Sequence, residues 1–169
     1  ENSSVLDLEP SASTTAVEGT AIGTVPITVS GGNDNNYDFT YINGTLTIST
    51  ATATLILNGL SHTYNGVAQA ATYSTTPAGL SAEITYEGTA SAPVNAGAYT
   101  VTATVNEINY TGLVYGTLVI DKAPLNFAAD DKSRPYLQDN PVLTWSVSGF
   151  VNGETSSVLD NLPAITTSA

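Results

Sequence analysis

The sequence predicts an all-β protein, a tandem of small β-sandwich modules. Three observations carry that reading. Apolar and hydroxyl residues alternate with a period of two in run after run. Short turn-forming pairs separate the runs. The composition suits pleated surfaces, with 14 Gly and 8 Pro for turns and no Cys or Met. Branched and aromatic side chains pack well on a pleat, and Gly, Asn and Pro supply the turns between strands. Hydrophobic residues make up 41% of the chain, and their patterning argues against disorder.

The elements follow in chain order. Residues 23–29, Gly-Thr-Val-Pro-Ile-Thr-Val, read as a strand that ends at Gly31-Gly32. Asn43-Gly44 marks a turn into a run where Leu46 and Ile48 alternate with Thr45, Thr47 and Ser49. Asn65-Gly66 and Pro77-Ala78-Gly79 are further breaks. Beyond them Ile84 and Tyr86 alternate with Glu83, Thr85 and Glu87. After Asn95-Ala96-Gly97, Tyr99, Val101, Ala103 and Val105 alternate with Thr100, Thr102 and Thr104. Leu143, Trp145 and Val147 alternate with Thr144, Ser146 and Ser148, and Asn152-Gly153 closes that run. Asn-Gly and similar pairs accept the positive φ of tight hairpin turns. One face buried and the other hydroxyl-rich is the pattern of antiparallel sheets packed on one side. Short strands at this spacing predict immunoglobulin-like β-sandwiches without the disulfide core of antibody domains, Trp145 being plain core.

The ends of the chain restate one another. Glu1, Ser3, Ser4, Val5, Leu6, Asp7, Pro10, Thr14 and Ala16 recur, offset by 153 residues, as Glu154, Ser156, Ser157, Val158, Leu159, Asp160, Pro163, Thr167 and Ala169. Self-similarity at a long period is the mark of a tandem array. A weaker echo lies inside the unit: Asn36-Tyr37 and residues 44–48 resemble Asn109-Tyr110 and residues 116–120. The expected organisation is a split module whose second half is residues 1–51, a complete module over 52–122, and the first half of the next split module over 123–169. A circularly permuted single protein is the alternative. A module this small buries only roughly 60% of its unfolded surface, so stacking on a neighbour adds stability. Residues 120–125 pass almost directly from strand to strand, with Pro124 restricting its own φ and biasing Ala123 to extended geometry. These features predict a semi-rigid rod, extending beyond the segment in hand.

At these residues the chain resembles a known family. Lys122-Ala123-Pro124-Leu125, Ala129-Asp130-Asp131-Lys132-Ser133-Arg134, Asp139-Asn140-Pro141 and residues 148–155 resemble the MBG repeats of bacterial surface proteins. In that family such strings open a module that closes with Ser30-Gly31-Gly32, Asn35-Asn36-Tyr37-Asp38-Phe39 and Gly44-Thr45-Leu46. Tyr64-Asn65-Gly66, residues 76–80, Asn95-Ala96-Gly97 and Asn109-Tyr110 look like its companion type. One departure is Leu137, where the family pattern puts a Gly after Tyr136, so a different turn is expected there. The resemblance implies a non-enzymatic repeat of long secreted or cell-surface proteins of Bacteroidetes-like bacteria. Such repeats serve as adhesins, stalks or filaments.

Charge and motifs narrow the chemistry. A net charge of −12 disfavours phosphate backbones and anionic lipid, which speaks against nucleic-acid or membrane-surface roles. No apolar run reaches membrane-spanning length. The sole histidine, His62, precedes the Tyr64-Asn65-Gly66 turn as a loop residue without catalytic company. No metal-protease, phosphate-loop or thiolate-metal spacing occurs, so neither an enzyme nor an organic cofactor is expected. Calcium is the leading small-ligand candidate. Asn33, Asp34, Asn36 and Asp38 crowd one loop, and Asp130 and Asp131 lie near a module junction, although Asx residues also favour turns without metal. Lys122 and Lys132 are the candidate amines for an isopeptide crosslink, and with Arg134 they form a basic cluster that could meet acids on an adjacent module. The expected partners are neighbouring repeats of the same chain, or identical chains joined head to tail. The alternative is a glycan- or cell-surface-binding module, which should display an exposed aromatic or acidic cluster that breaks the pattern. Here Tyr and Trp mostly fall on the buried period.

Overall fold

The computed structural model describes residues 6–167. Of the restated ends, Glu1, Ser3, Ser4, Val5 and Ala169 lie outside the described residues, as does the start of the predicted 1–51 half-module. The described chain is all-β. Its strands, in order, are β1 (Ser11–Thr14), β2 (Gly23–Ser30), β3 (Gly44–Ile48), β4 (Ala51–Thr52), β5 (Thr54–Asn58), β6 (Ser61–Thr63) and β7 (Thr72–Thr76). There follow β8 (Ala82–Tyr86), β9 (Gly97–Val105), β10 (Tyr110–Thr111), β11 (Leu113–Asp121), β12 (Asn126–Ala129) and β13 (Trp145–Ser148). A single 3₁₀ turn, Ser156–Val158, is the only helical element among the described residues, and Thr155 Oγ1 caps it by accepting from Ser157 N.

Two compact units divide the chain. The first comprises Glu1–Thr54, Thr75–Ala82 and Val105–Gly112. Its main sheet is an antiparallel meander, β1-β2-β3. Val25, Ile27 and Val29 turn to its half-buried face, while Thr24, Pro26 and Thr28 stay exposed. Pro26 lacks an N–H, which a strand tolerates where the ladder can spare a donor. Also in this unit, β4 pairs in parallel with β10, and Ile22 N donates to Asn109 Oδ1 at 3.3 Å. Glu107 receives the Ser81 N–H at 3.1 Å, and Asn106 N donates to the Ser81 carbonyl at 2.9 Å. That hydrogen bond from the Ser81 backbone holds the Glu107 carboxyl below its usual range, since it is strongest to the charged form.

The second unit comprises Leu55–Ser74, Glu83–Thr104 and Leu113–Ala169. It holds a four-stranded sheet ordered β6-β11-β9-β8, with β9 and β11 antiparallel and β6 parallel to β11. Against it packs β5, which is itself paired with β7. Val101 and Leu118 are wholly buried, with Ala71, Tyr86 and Ile120 around them and Leu57, Leu60, Ile84 and Tyr99 packed on their rim. Burying a side chain of this kind contributes roughly 1.5–3 kcal/mol, so these few residues dominate the unit's stability. The layers approach closely at Gly116, where a Cβ would lie 2.9 Å from Leu57 Cδ1. The buried Tyr86 hydroxyl accepts from Ala71 N at 2.8 Å. Gln69, the one buried polar side chain among the described residues, donates to Asn65 Oδ1 and to the Val67 carbonyl. Outside this core cluster, β12 and β13 form an antiparallel pair in which Phe127 meets a half-buried Trp145 edge-on, ring centroids 5.3 Å apart.

Turn chemistry explains several joints. Asn152 and Gly153 take φ of 52° and 73° between Val151 and Glu154, whose N–H returns to the Val151 carbonyl at 3.0 Å. Gly66 and Gly79 also take positive φ, as predicted. Gly44 and Gly97 do not; each opens a strand instead, because the ladder with β2 or β11 claims its backbone. The turn at Glu87-Gly88, φ of 48° and 84°, is absent from the sequence pattern because Glu is a poor turn signal. Tyr86 and Thr89 bracket it with reciprocal backbone hydrogen bonds.

Candidate module-junction site

The chemistry-bearing side chains of the second unit gather where residues 120–125 leave β11. An open cleft of about 490 Å³ lies there, walled by Tyr64, Asn95, Lys122, Phe150, Glu154 and Asp160 among others. Tyr64 follows β6 directly, its backbone N–H bonded to the Asp121 carbonyl at 2.8 Å. Its hydroxyl donates to Glu154 Oε1, a residue ninety positions further along the chain. That bond retains the phenolic proton, and with some desolvation and the nearby carboxylate charge it raises the Tyr64 pKa above its ordinary 10.0.

Two glycines make the rest of the junction. Asn152 lies over Gly66, its Nδ2 donating to the Gly66 carbonyl at 3.2 Å. A Cβ on Gly66 would stand 2.7 Å from Asn152 Nδ2, so a side chain there displaces Asn152. Gly149, at φ 108°, backs onto Pro124: a Cβ would come 2.5 Å from the Pro124 carbonyl oxygen and 3.4 Å from Leu125 Cα. The segment after β13 is thus seated on the loop before β12 by backbone contact, and on the Tyr64-Asn65-Gly66 turn by two side-chain hydrogen bonds.

The other predicted residues lie elsewhere. In the β2–β3 connection, Asn33 exchanges both backbone hydrogen bonds with Leu8, at 2.9 and 3.0 Å, and Asp34 Oδ1 accepts from Asn36 N at 2.7 Å. The latter is an Asx turn, the local arrangement that Asx residues favour in turns. Asp38 belongs to the same connection. Asp130 follows β12 and accepts from Thr144 Oγ1 at 2.5 Å; Asp131 is its neighbour. Among the described residues, no three His, Cys, Asp or Glu side chains are placed to share a metal ion. His62 sits in β6 rather than in a loop, opposite Ile120, with Nε2 2.8 Å from the Gly59 carbonyl. Lys122 lines the cleft, and Arg134 Nε donates to Asn140 Oδ1 at 2.6 Å.

Leu137 departs from expectation in the opposite sense to the one its sequence suggests. It takes φ 64°, the left-handed conformation that Gly adopts freely, in a turn where Gln138 N reaches the Pro135 carbonyl at 3.3 Å. The turn keeps a glycine-like backbone despite the leucine.

The tyrosines also depart in part. Tyr64, Tyr73, Tyr86, Tyr99 and Tyr110 are buried or half-buried. Tyr37, Tyr41, Tyr115 and Tyr136 are exposed. On β11 both alternating rows contain apolar residues, so Leu118 and Ile120 go inward while Leu113, Tyr115 and Val119 face out.

A small β-sandwich with the segment after β13 packed on its end loops is the setting in which the comparisons place a repeat domain. The chain belongs to the MBG domain family. Residues 53–124 match the family described as MBG domain, and residues 1–47 and 125–169 match the MBG domain of YGX type. Neither the curated proteins nor the solved structures include a match to this chain.

Proposed function

We propose that this chain is a non-enzymatic structural repeat of a long bacterial cell-surface adhesin, stalk or extracellular filament, joined end to end with further repeats. The seating of residues 149–154 on residues 64–66 and 124–125 carries this reading. A joint held by backbone contact and two hydrogen bonds restricts bending between residues 53–124 and the segment after them, as a rod under tension requires. The acidic charge keeps such rods soluble and mutually repelling. Partners on this reading are neighbouring repeats, in the same chain or in identical chains.

One observation favours the rival reading of a glycan-binding module. Tyr115 is 67% exposed on the outer face of β11 and lies opposite Thr102 of β9, which gives an aromatic platform beside hydroxyls. A glycan array probed with the chain and with its Tyr115→Ala variant separates the two. The structural reading expects no specific binding from either. Specific micromolar binding that Tyr115→Ala abolishes would overturn it.

A further inference from the structure

The chain holds four Asn-Gly pairs, at residues 43–44, 58–59, 65–66 and 152–153. Asparagine is a chemically labile residue. It is most labile before glycine, where the lack of a Cβ lets the next amide nitrogen fold back onto the carboxamide. By local sequence the four pairs are alike, and the fold makes them different.

Three of them are held. Asn65 Oδ1 accepts from Val67 N at 3.1 Å and from Gln69 Nε2 at 2.5 Å. Asn152 Nδ2 donates to the Gly66 carbonyl at 3.2 Å. Gly44 opens β3 and pairs with Ile27, so the ladder holds the backbone after Asn43. Asn58 is held least. It is the exposed last residue of β5, and its Nδ2 reaches the Ile56 carbonyl only at 3.4 Å, near the limit of a hydrogen bond. Gly59 lies outside both β5 and β6, at φ 65°. His62 Nε2 lies 2.8 Å from the Gly59 carbonyl, so the imidazole anchors the carbonyl of this turn and not its amide.

We propose that Asn58 is a self-modification site: in the folded chain it deamidates ahead of Asn65 and Asn152, and its isoaspartate product loosens the packing of Leu57 and Leu60. The Gly59 nitrogen gives its proton to hydroxide and bonds to Asn58 Cγ. The Cγ–Nδ2 bond breaks, Nδ2 takes up a proton, and ammonia leaves. Water opens the remaining succinimide at either carbonyl carbon, giving aspartate or isoaspartate. Nothing is oxidised or reduced; the sum is carboxamide plus water to carboxylate plus ammonium.

The place of the pair gives the product its effect. Leu57 and Leu60 flank it, and both pack on the core. A Cβ on Gly116 would stand 2.9 Å from Leu57 Cδ1 and 3.3 Å from Leu60 Cδ1, so both leucines sit tightly against β11. The Leu60 carbonyl also accepts from Val119 N at 2.8 Å. Isoaspartate inserts a carbon into the main chain between the two leucines, and a close-packed interior takes that up only by displacing one of them. Aspartate adds a surface charge to the net −12 and leaves the backbone as it was.

Ageing the full chain in warm, mildly alkaline buffer, followed by peptide mapping in the mass spectrometer, tests this. In the folded chain Asn58 should convert about tenfold faster than Asn65, whose carboxamide must first leave its two hydrogen bonds. In concentrated urea the rates should converge, because only the local sequence is left. The aged folded chain should also contain a fraction with a lowered thermal midpoint, absent from Asn58→Ser aged alongside it. Asn58→Asp should melt with the fresh chain, which separates the added charge from the added backbone carbon. Conversion at Asn58 no faster than at Asn65 or Asn152 in the folded chain overturns the inference. So does a preference for Asn58 that persists in urea, or an aged chain that carries isoaspartate at Asn58 and melts with the fresh one.

Discussion

Replacing Gly149 with alanine probes the junction most directly, because two penalties coincide there. The backbone holds φ 108°, and forcing an L side chain into a left-handed conformation costs roughly 1–2 kcal/mol. The new Cβ also falls 2.5 Å from the Pro124 carbonyl oxygen. That obstacle is main chain, so it cannot rotate aside, and overpacking of this kind costs roughly 1–3 kcal/mol. Together they predict a loss of about 2–5 kcal/mol for Gly149→Ala, at or beyond the upper end of ordinary point substitutions. Gly153→Ala is the matched control. Its φ is 73°, with nothing within 4 Å of the would-be Cβ, so it meets the first penalty alone, about 1–2 kcal/mol. Urea unfolding followed through the fluorescence of Trp145, four residues before Gly149, reads both variants. The difference between them isolates the seating of Gly149 on Pro124. If the two losses agree within about 0.5 kcal/mol, the two backbones are not in the close contact described.

Three further outcomes are expected. Tyr64→Phe should remove a phenolate step that titrates above the ordinary 10.0 in an ultraviolet pH titration; because the folded pKa is raised, its stabilising effect is fully present below pH 10.0 and is lost as pH rises through the folded value. Glu107 behaves in the reverse direction: its folded pKa is lowered, so its contribution is present above 4.5 and is lost as pH falls through the folded value. Glu107→Gln should therefore flatten the acid limb of the thermal-stability profile, and an unchanged limb speaks against the Ser81 contact. Leu137→Gly should stabilise the chain by about 0.5–1 kcal/mol, relief of left-handed strain outweighing the entropy of glycine. Leu137 is 81% exposed, so little packing is lost, and denaturant midpoints will show the sign.

Much of the strand content was legible in the sequence because the side-chain period is two and one face was apolar. Tyr99, Val101, Ala103 and Val105 point inward and their threonine neighbours mostly outward, as the alternation says. Asn152-Gly153 turns as its composition requires. Legibility failed where one local signal admits two outcomes. Asn43-Gly44 and Asn95-Ala96-Gly97 look like the other turns, yet their glycines open strands once a partner strand takes up their hydrogen bonds. The hydrogen bonds that Asp34 and Asp130 accept likewise depend on the folded backbone and not on composition.

By itself the sequence determined the all-β class, the family, the repeat offset of 153 residues and most strand faces. Those are properties of near neighbours and of direct self-comparison, and no folding is needed to read them. Only the tertiary structure decided that Tyr64 meets Glu154, that β6 and β11 run parallel, and that Gly149 lies against Pro124. It also decided which of two apolar rows on β11 is core, leaving Tyr115 outside. In each case the choice lies between residues far apart in the chain, and it is made by which surfaces close-pack. Nothing in the local pattern of either partner encodes that.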